Sequence, residues 1–519
     1  MTTPEELSGE IRRLIEAQRY RAAAEACDRL NLEFPEFDYG WYMTSRVALI
    51  IHKPLPGLQA IDRALAIAPE KPEWLFQKLR CLSFAGYVLE AKEMAAGLAA
   101  LQFKTAETSS ELAMLLSRLG MDQAAIAHYR RAVELGSESP DLYLNLAAGE
   151  RKLGNIDAAL DALDKSLELQ PDDAGALYLR STLRRQTPTN NHTRELKAAI
   201  ERLADRPDDV MRLCYALTKE FEDIEDYDRA FEQLDRGSEI QRNRLNFSLQ
   251  QELDTLRTVR EQFVAEKFDG SVPGHVNADP IFIVGMPRTG TALVDQILRS
   301  HPVVQSVGSS QAFTEALTNE CLHGYDGPPG SIPELVTRAV QADFERVGEN
   351  YVRSARPKAS DLAHFVDCRP MNFLYAGMIH LALPKARIVV LERDPMDTCF
   401  YAYRTLFEGA YPFSYHLDDI AEFYLGYQKQ MGHWESVIPG VMHTISYERL
   451  VTDPKPVIED LLEYCGLSFD AACLGFWEDE QVVVRGVPQP SRQEAYQSSI
   501  GMWKHYDKQL AAVREKIGA

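Results

Sequence analysis

The sequence predicts an all-α array of helical hairpins followed by a three-layer α/β domain with a mostly parallel sheet, and two observations carry that prediction. In the first half, small residues recur at a fixed step: Ala23, Gly57, Ala91, Ala125 and Ala159 stand 34 residues apart, and Gly86, Gly120 and Gly154 keep the same step. In the second half, short apolar runs feed amphipathic stretches of helical period through glycine-containing turns, the pattern of a buried parallel strand followed by a helix. At 519 residues the chain exceeds what one core holds, since single cores stop growing near roughly 250–300 residues.

The clearest units of the first half read LAMLLSRLGMDQAAIAHYRRAVEL and LYLNLAAGERKLGNIDAALDALDKSLELQPDD, each a helix, a glycine turn and a second helix. Small residues are required where the paired helices cross closely, and glycine where the chain reverses. Proline near the end of the second helix, as at Pro35, Pro69 and Pro171, stops it. This pattern resembles the tetratricopeptide repeat, whose hairpins bury their apolar faces only by stacking. A further pair, LCYALTKEFEDIEDYDRAFEQLDRGSEIQR at 213–242, is expected to cap the array, giving it bounds of 5–265. Residues 266–279, EKFDGSVPGHVNAD, carry the Gly, Pro and Asp of a linker, and the α/β domain is expected over 280–515. An array of this kind serves as a spacer, an oligomerisation surface or a groove for a peptide or protein, and the residues leave these open.

At 280–302 the chain reads PIFIVGMPRTGTALVDQILRSHP: a strand, a turn and a helix from about Thr291. Gly285 and Gly290 permit tight backbone, and the amides of Thr289, Gly290, Thr291 and Ala292 would lie at the positive end of the helix, where an anion fits. The loop lacks the Gly-Lys-Ser/Thr ending that serves a nucleoside triphosphate and its magnesium, which disfavours a kinase-like phosphoryl transfer. Arg288 stands inside it instead.

PRTGT after an apolar strand, followed by LVDQILRSHP, resembles the P-loop-like 5′-phosphosulfate loop of sulfotransferases that use 3′-phosphoadenosine 5′-phosphosulfate (PAPS). Together with the repeats it is most similar to bacterial tetratricopeptide-repeat sulfotransferases, and more distantly to protein-tyrosine sulfotransferases. The resemblance runs through most of 208–508. It implies that Arg393, at the end of the apolar run Arg387–Leu391 in ARIVVLERDPMDTCFYAYRTLF, grips the 3′-phosphate. It implies that Tyr447 of ISYERLVTDP lies near the adenine and that YQSSIGMWKHY at 496–506 closes over the nucleotide. Transfer would then rest on positioning and on cationic donors, with Arg288 the foremost.

Several family positions are substituted. Ser309 stands where the family's catalytic Glu is expected, and Glu315 is the nearest carboxylate. Arg369, one residue from Cys368, stands for a lost Lys, and Tyr401 occupies the place of a Ser that joins Arg393. Lys504 follows Trp503 where a basic residue ordinarily precedes it, and a further active-site Ser falls near Val487. The implied function is sulfate transfer from PAPS, without a metal, to a hydroxyl or phenol, with a protein or peptide held by the repeats as one such acceptor. The alternative is a catalytically degenerate scaffold whose repeats bind protein. His301, His364 and His380 lack a nucleophile or carboxylate partner in the pattern and read as structural.

The formal charge of −21 argues against nucleic acid as a partner. No apolar run reaches the length of a membrane span, the opening MTTPEELSGEIRRL lacks the order of a secretory signal, and the eight cysteines form no CxxC pair. These features predict a cytoplasmic protein.

Overall fold

The computed structural model describes residues 3–100, 104–324, 331–356, 362–407, 409–475 and 496–519. It divides into two compact units, Met1–Pro171 and Asp172–Ala519.

The first unit is built of five hairpins. Their first helices are α1 (Pro4–Glu16), α3 (Asp38–Ile50), α5 (Pro72–Ala85), α7 (Ala106–Arg118) and α9 (Pro140–Lys152). The second helices are α2 (Tyr20–Glu33), α4 (Pro54–Ile67), α6 (Val88–Ala99), α8 (Asp122–Glu134) and α10 (Ile156–Leu169). Every helix starts 34 residues after its counterpart. The periodic small residue sits four positions into each second helix, and Ala23, Ala91, Ala125 and Ala159 are all buried. At Gly57 an added Cβ would meet Cys81 Sγ and the Ser45 carbonyl, each at 3.3 Å. Side-chain size there is therefore set by the approach of the neighbouring helix.

The turns obey the same step in backbone conformation. Gly86, Gly120 and Gly154 have φ of 79°, 74° and 77°, and the equivalent positions in the first two hairpins, Gln18 and His52, adopt φ of 56° and 57° without being glycine.

The second unit opens with α11 (Ala174–Leu183), α12 (Thr193–Arg202), α13 (Pro207–Asp223), α14 (Tyr227–Arg244) and α15 (Leu249–Gln262). The sequence places these helices in the repeat array, within 5–265. They pack instead in the unit that holds the sheet, through polar ties, the one at Glu222 buried. Glu222 of α13 accepts from Arg404 Nε and from the Tyr506 hydroxyl at 2.9 Å, and Asp235 of α14 accepts from the Tyr403 hydroxyl at 2.8 Å. A short 3₁₀ turn, Ala265–Phe268, overlaps the start of the segment read as a linker, and the His275 amide donates to the Ala382 carbonyl.

The sheet holds β1 (Pro280–Gly285), β2 (Val304–Gly308), β3 (His364–Asp367), β4 (Arg387–Glu392) and β5 (Met442–Ser446) in the order β2-β3-β1-β4-β5, with all four pairings parallel. β1 is buried along its whole length, as a central strand covered on both faces must be. Helices α16 (Thr291–Arg299), α17 (Ala312–Cys321), α18 (Ile332–Ala339), α19 (Phe344–Ala355), α20 (Ala376–Ala382), α21 (Pro395–Tyr403) and α22 (Leu417–Val437) connect and flank the strands. From β1 the chain crosses to β2 on one side and later reaches β4 on the other. The carboxyl end of β1 is therefore the switch point where open parallel sheets bind ligands. No helix among the described residues is long and apolar enough to cross a membrane.

Candidate functional site

The loop from β1 to α16 is held tight by three contacts. An added Cβ on Gly285 would lie 2.8 Å from the Leu391 carbonyl of β4, and one on Gly290 would lie 2.6 Å from the ring of Tyr447. Gly290 has φ of 110°, and Arg288 adopts a left-handed φ of 72° despite its side chain. Strain of that kind costs about 1–3 kcal/mol and persists where the surroundings enforce it, most often at functional sites. Thr289 is buried and spends its hydroxyl inside the loop, donating to the Met286 carbonyl at 2.8 Å. The Thr289 amide also donates to the Met286 carbonyl, at 3.4 Å, so Thr289 spends both its donors inside the loop. The amides of Thr291 and Ala292 lie in the first turn of α16, where helix N–H groups have no partner within the helix. Arg288 itself is exposed.

Arg393 follows β4 and turns back onto this loop. Its Nη1 donates to the Arg288 carbonyl at 3.1 Å, and its Nη2 donates to the Ser499 carbonyl at 2.8 Å and to Ser499 Oγ at 3.1 Å. The guanidinium lies 4.3 Å from the centre of the Tyr401 ring and 4.4 Å from that of Tyr447. Its Nε is buried without a hydrogen-bond partner among the described residues. Tyr401 therefore meets Arg393 through its aromatic face, not as the hydroxyl donor that a serine would be.

The segment from 496 onward covers this cluster. Tyr447 Oη lies 2.9 Å from Ser499 Oγ and donates to the Tyr496 carbonyl, while the Gly501 amide donates to Asp397 at 2.6 Å. Burial pushes the Asp397 carboxyl above its usual range, against the Gly501 hydrogen bond and the Arg393 charge that pull it down. Lys504 is exposed on the 3₁₀ turn Met502–Tyr506. Val487 lies outside the described residues.

The remaining predicted residues gather, or fail to gather, at the ends of β2 and β3. Asp367 closes β3, and its carboxyl accepts from the Arg369 amide and from the Tyr351 hydroxyl. Burial lifts that carboxyl to about 6. Ser309 and Arg369 line one cavity of about 340 Å³ together with Gln311, Met371, Tyr411 and Phe413. Glu315 is exposed and does not line it. The carboxylate that does is Glu252, carried by α15 from a segment that no motif singled out. Nothing in local sequence marks it, because its approach depends on how α15 packs against the α/β core. A second cavity, about 550 Å³, borders Thr289 and Arg393 but also carries Glu392 and Glu435 on its wall, which suits an anion poorly.

The first unit has a groove of its own across α3, α5 and α7. It is lined by two sets of repeat-equivalent positions, Arg46, Arg80 and Met114, and Ile50, Phe84 and Arg118. Phe84 is 56% and Met114 45% exposed, an apolar floor between arginines.

Comparison with known proteins finds a match to a family model in each half of the chain. Residues 280–471 match the model of the sulfotransferase family, and residues 140–173 match a tetratricopeptide repeat. An uncharacterised protein of Aquifex aeolicus (strain VF5) is 30% identical over 310 residues, 58% of this chain, and the match spans 40% of that relative's length. Among solved structures, the sulfotransferase domain from the Synechococcus PCC 7002 olefin synthase is similar at 19% identity and a TM-score of 0.30, covering 45% of this chain and 90% of that one. YrrB, described as a TPR protein with an unusual peptide-binding site, is similar at 18% identity and a TM-score of 0.29, covering 34% of this chain and 91% of that one. The chain thus carries a stretch, 280–471, that matches the sulfotransferase family model and another, 140–173, that matches a tetratricopeptide repeat.

Proposed function

We propose that the domain within 280–515 transfers a sulfuryl group from PAPS to a hydroxyl or phenol acceptor, and that the repeats hold a protein or peptide. The observation that carries this reading is the convergence of Arg393 on the backbone of the β1–α16 loop, between two tyrosine rings and with one nitrogen unsatisfied. A fixed, buried guanidinium there suits a phosphate beyond the one that the helix terminus takes, which distinguishes a 3′-phosphorylated nucleotide from ADP or ATP. The loop amides would hold the 5′-phosphate, and Arg288 and Arg369 would supply cations toward the charge that builds on the leaving oxygen. The groove exposes Phe84 and Met114, and its Arg80 is already ion-paired with Glu111 on the same wall, so it suits a peptide with apolar side chains. We place the protein in the cytoplasm, where its eight cysteines would stay reduced.

Calorimetric titration with 3′-phosphoadenosine 5′-phosphate, beside ADP and repeated on Arg288→Ala and Arg393→Ala, tests the reading. Binding that requires the 3′-phosphate and weakens in both variants is expected. A folded protein that binds neither nucleotide would instead support the second reading, a scaffold, which Ser309 in place of a carboxylate and the exposure of Glu315 favour.

A further inference from the structure

The cavity at the ends of β2 and β3 contains the parts of an acceptor site whose carboxylate comes from outside the matched family domain. Ser309 follows β2 and Arg369 follows β3. β3 is hydrogen-bonded to β1, so this edge lies one and two strands from the β1–α16 loop, steps of roughly 4.8 Å each. Arg369 Nη1 is buried and has no hydrogen-bond partner among the described residues. A buried guanidinium nitrogen left unsatisfied is costly unless a ligand completes it. Opposite stand aromatic walls. Tyr411 holds a left-handed φ of 51° immediately before Pro412, its ring packs edge-on to Phe407 with centroids 4.9 Å apart, and Phe413 stacks on Phe423 at 3.8 Å. The volume, about 340 Å³, is at the small end of ligand pockets and suits one or two aromatic rings.

Among the described residues lining the cavity, Glu252 is the single carboxylate. We propose that Glu252 is the general base of the transfer, and that the acceptor in this cavity is a phenol. This rests on the sulfotransferase reading above. The phenol oxygen forms its bond to sulfur as the bond between sulfur and the bridging oxygen of the 5′-phosphate breaks. The phenolic proton passes to Glu252, and the products are an aryl sulfate and 3′-phosphoadenosine 5′-phosphate. Arg369 faces the sulfuryl oxygens, and the rings of Tyr411 and Phe413 hold the acceptor's plane. Partial burial raises the Glu252 carboxyl above its usual range, which brings it nearer the proton affinity a base needs at neutral pH. The carboxylate absent at Ser309 is thereby supplied by α15, which explains how a chain lacking the expected residue keeps a complete site.

The test uses the full chain with PAPS and two probe acceptors, 4-nitrophenol and 2-naphthol, measuring turnover, 3′-phosphoadenosine 5′-phosphate affinity and thermal unfolding for wild type, Glu252→Gln and Glu252→Asp. The expected result is a kcat lowered roughly 100- to 10,000-fold in Glu252→Gln, with nucleotide affinity and unfolding midpoint unchanged and turnover partly retained in Glu252→Asp. Wild-type turnover in Glu252→Gln overturns the assignment, as does a parallel loss of nucleotide affinity or folding, which would mark a structural role. A wild type that binds the nucleotide but sulfates neither phenol overturns the acceptor class while leaving the donor site standing. A wild type that does not bind the nucleotide removes the parent reading, and this inference with it.

Discussion

Arg393 donates through Nη1 to the backbone carbonyl of Arg288, 3.1 Å away, so the two arginines most suited to an anion are joined across 105 residues of sequence. The bond ties the end of β4 to the loop after β1 and fixes the guanidinium there.

That arrangement depends on a planar fork. Arg393→Lys keeps the charge but loses the second donor and the stacking between Tyr401 and Tyr447. Losing a charged hydrogen bond costs roughly 1.5–3 kcal/mol. Affinity for 3′-phosphoadenosine 5′-phosphate is expected to fall about ten- to hundredfold, with little change toward ADP, in side-by-side calorimetry.

Gly290→Ala places a methyl against the Tyr447 ring at a φ of 110°. The left-handed backbone and the overpacking together cost about 2–4 kcal/mol. A lowered unfolding midpoint and loss of nucleotide binding are expected, whereas a variant with wild-type midpoint and affinity would show that Tyr447 can move aside.

The reverse substitution is expected to help in the repeats. Gln18 and His52 occupy the left-handed turn position that Gly86, Gly120 and Gly154 fill in later hairpins. His52→Gly relieves about 0.5–1 kcal/mol of strain after the greater freedom of the unfolded glycine is counted. Chemical denaturation of the first unit should show a higher midpoint.

Glu222 binds Arg404 with both carboxylate oxygens, at 2.7 and 2.8 Å from Nε, and the carboxylate is almost fully buried. Glu222→Ala strands the arginine and removes the acceptor of Tyr506. Breaking a buried pair from one side costs about 3–5 kcal/mol. Denaturation of the second unit should show that loss, and Glu222→Gln, which keeps an acceptor for Tyr506, a smaller one.

Asp367 gives a pH signature. Its folded-state value of about 6 exceeds the ordinary value of 3.8 because burial disfavours the charged form. The folded state therefore holds the proton more tightly, so the stability contribution is fully present below about 3.8 and is lost as pH rises through about 6. The span is on the order of 3 kcal/mol. Asp367→Asn should remove that segment of the stability–pH curve between about pH 4 and 6, read as the difference in unfolding midpoint between wild type and variant.

The repeats and the β1–α16 loop were legible from the residues alone, because both are local. A 34-residue period places every helix of the first unit and each left-handed turn position, since each hairpin meets mainly its neighbours in the chain. The strand, glycine turn and helix at 280–299 likewise fold from adjacent residues, so Arg288 through Ala292 could be located in advance. Long-range packing set the rest. The helices 174–262 share the repeats' appearance, yet Glu222 and Asp235 bind Arg404 and Tyr403 from distant sequence, and those contacts draw the helices into the sheet unit. Arg393 was legible as a candidate, but its stacking between Tyr401 and Tyr447 was not. Glu315, near in sequence, is exposed, and Glu252, 57 residues before Ser309, lines the cavity with it. Sequence distance specifies helix and turn, whereas a site at the edge of a parallel sheet is assembled from separate strand ends and whichever helix packs across them.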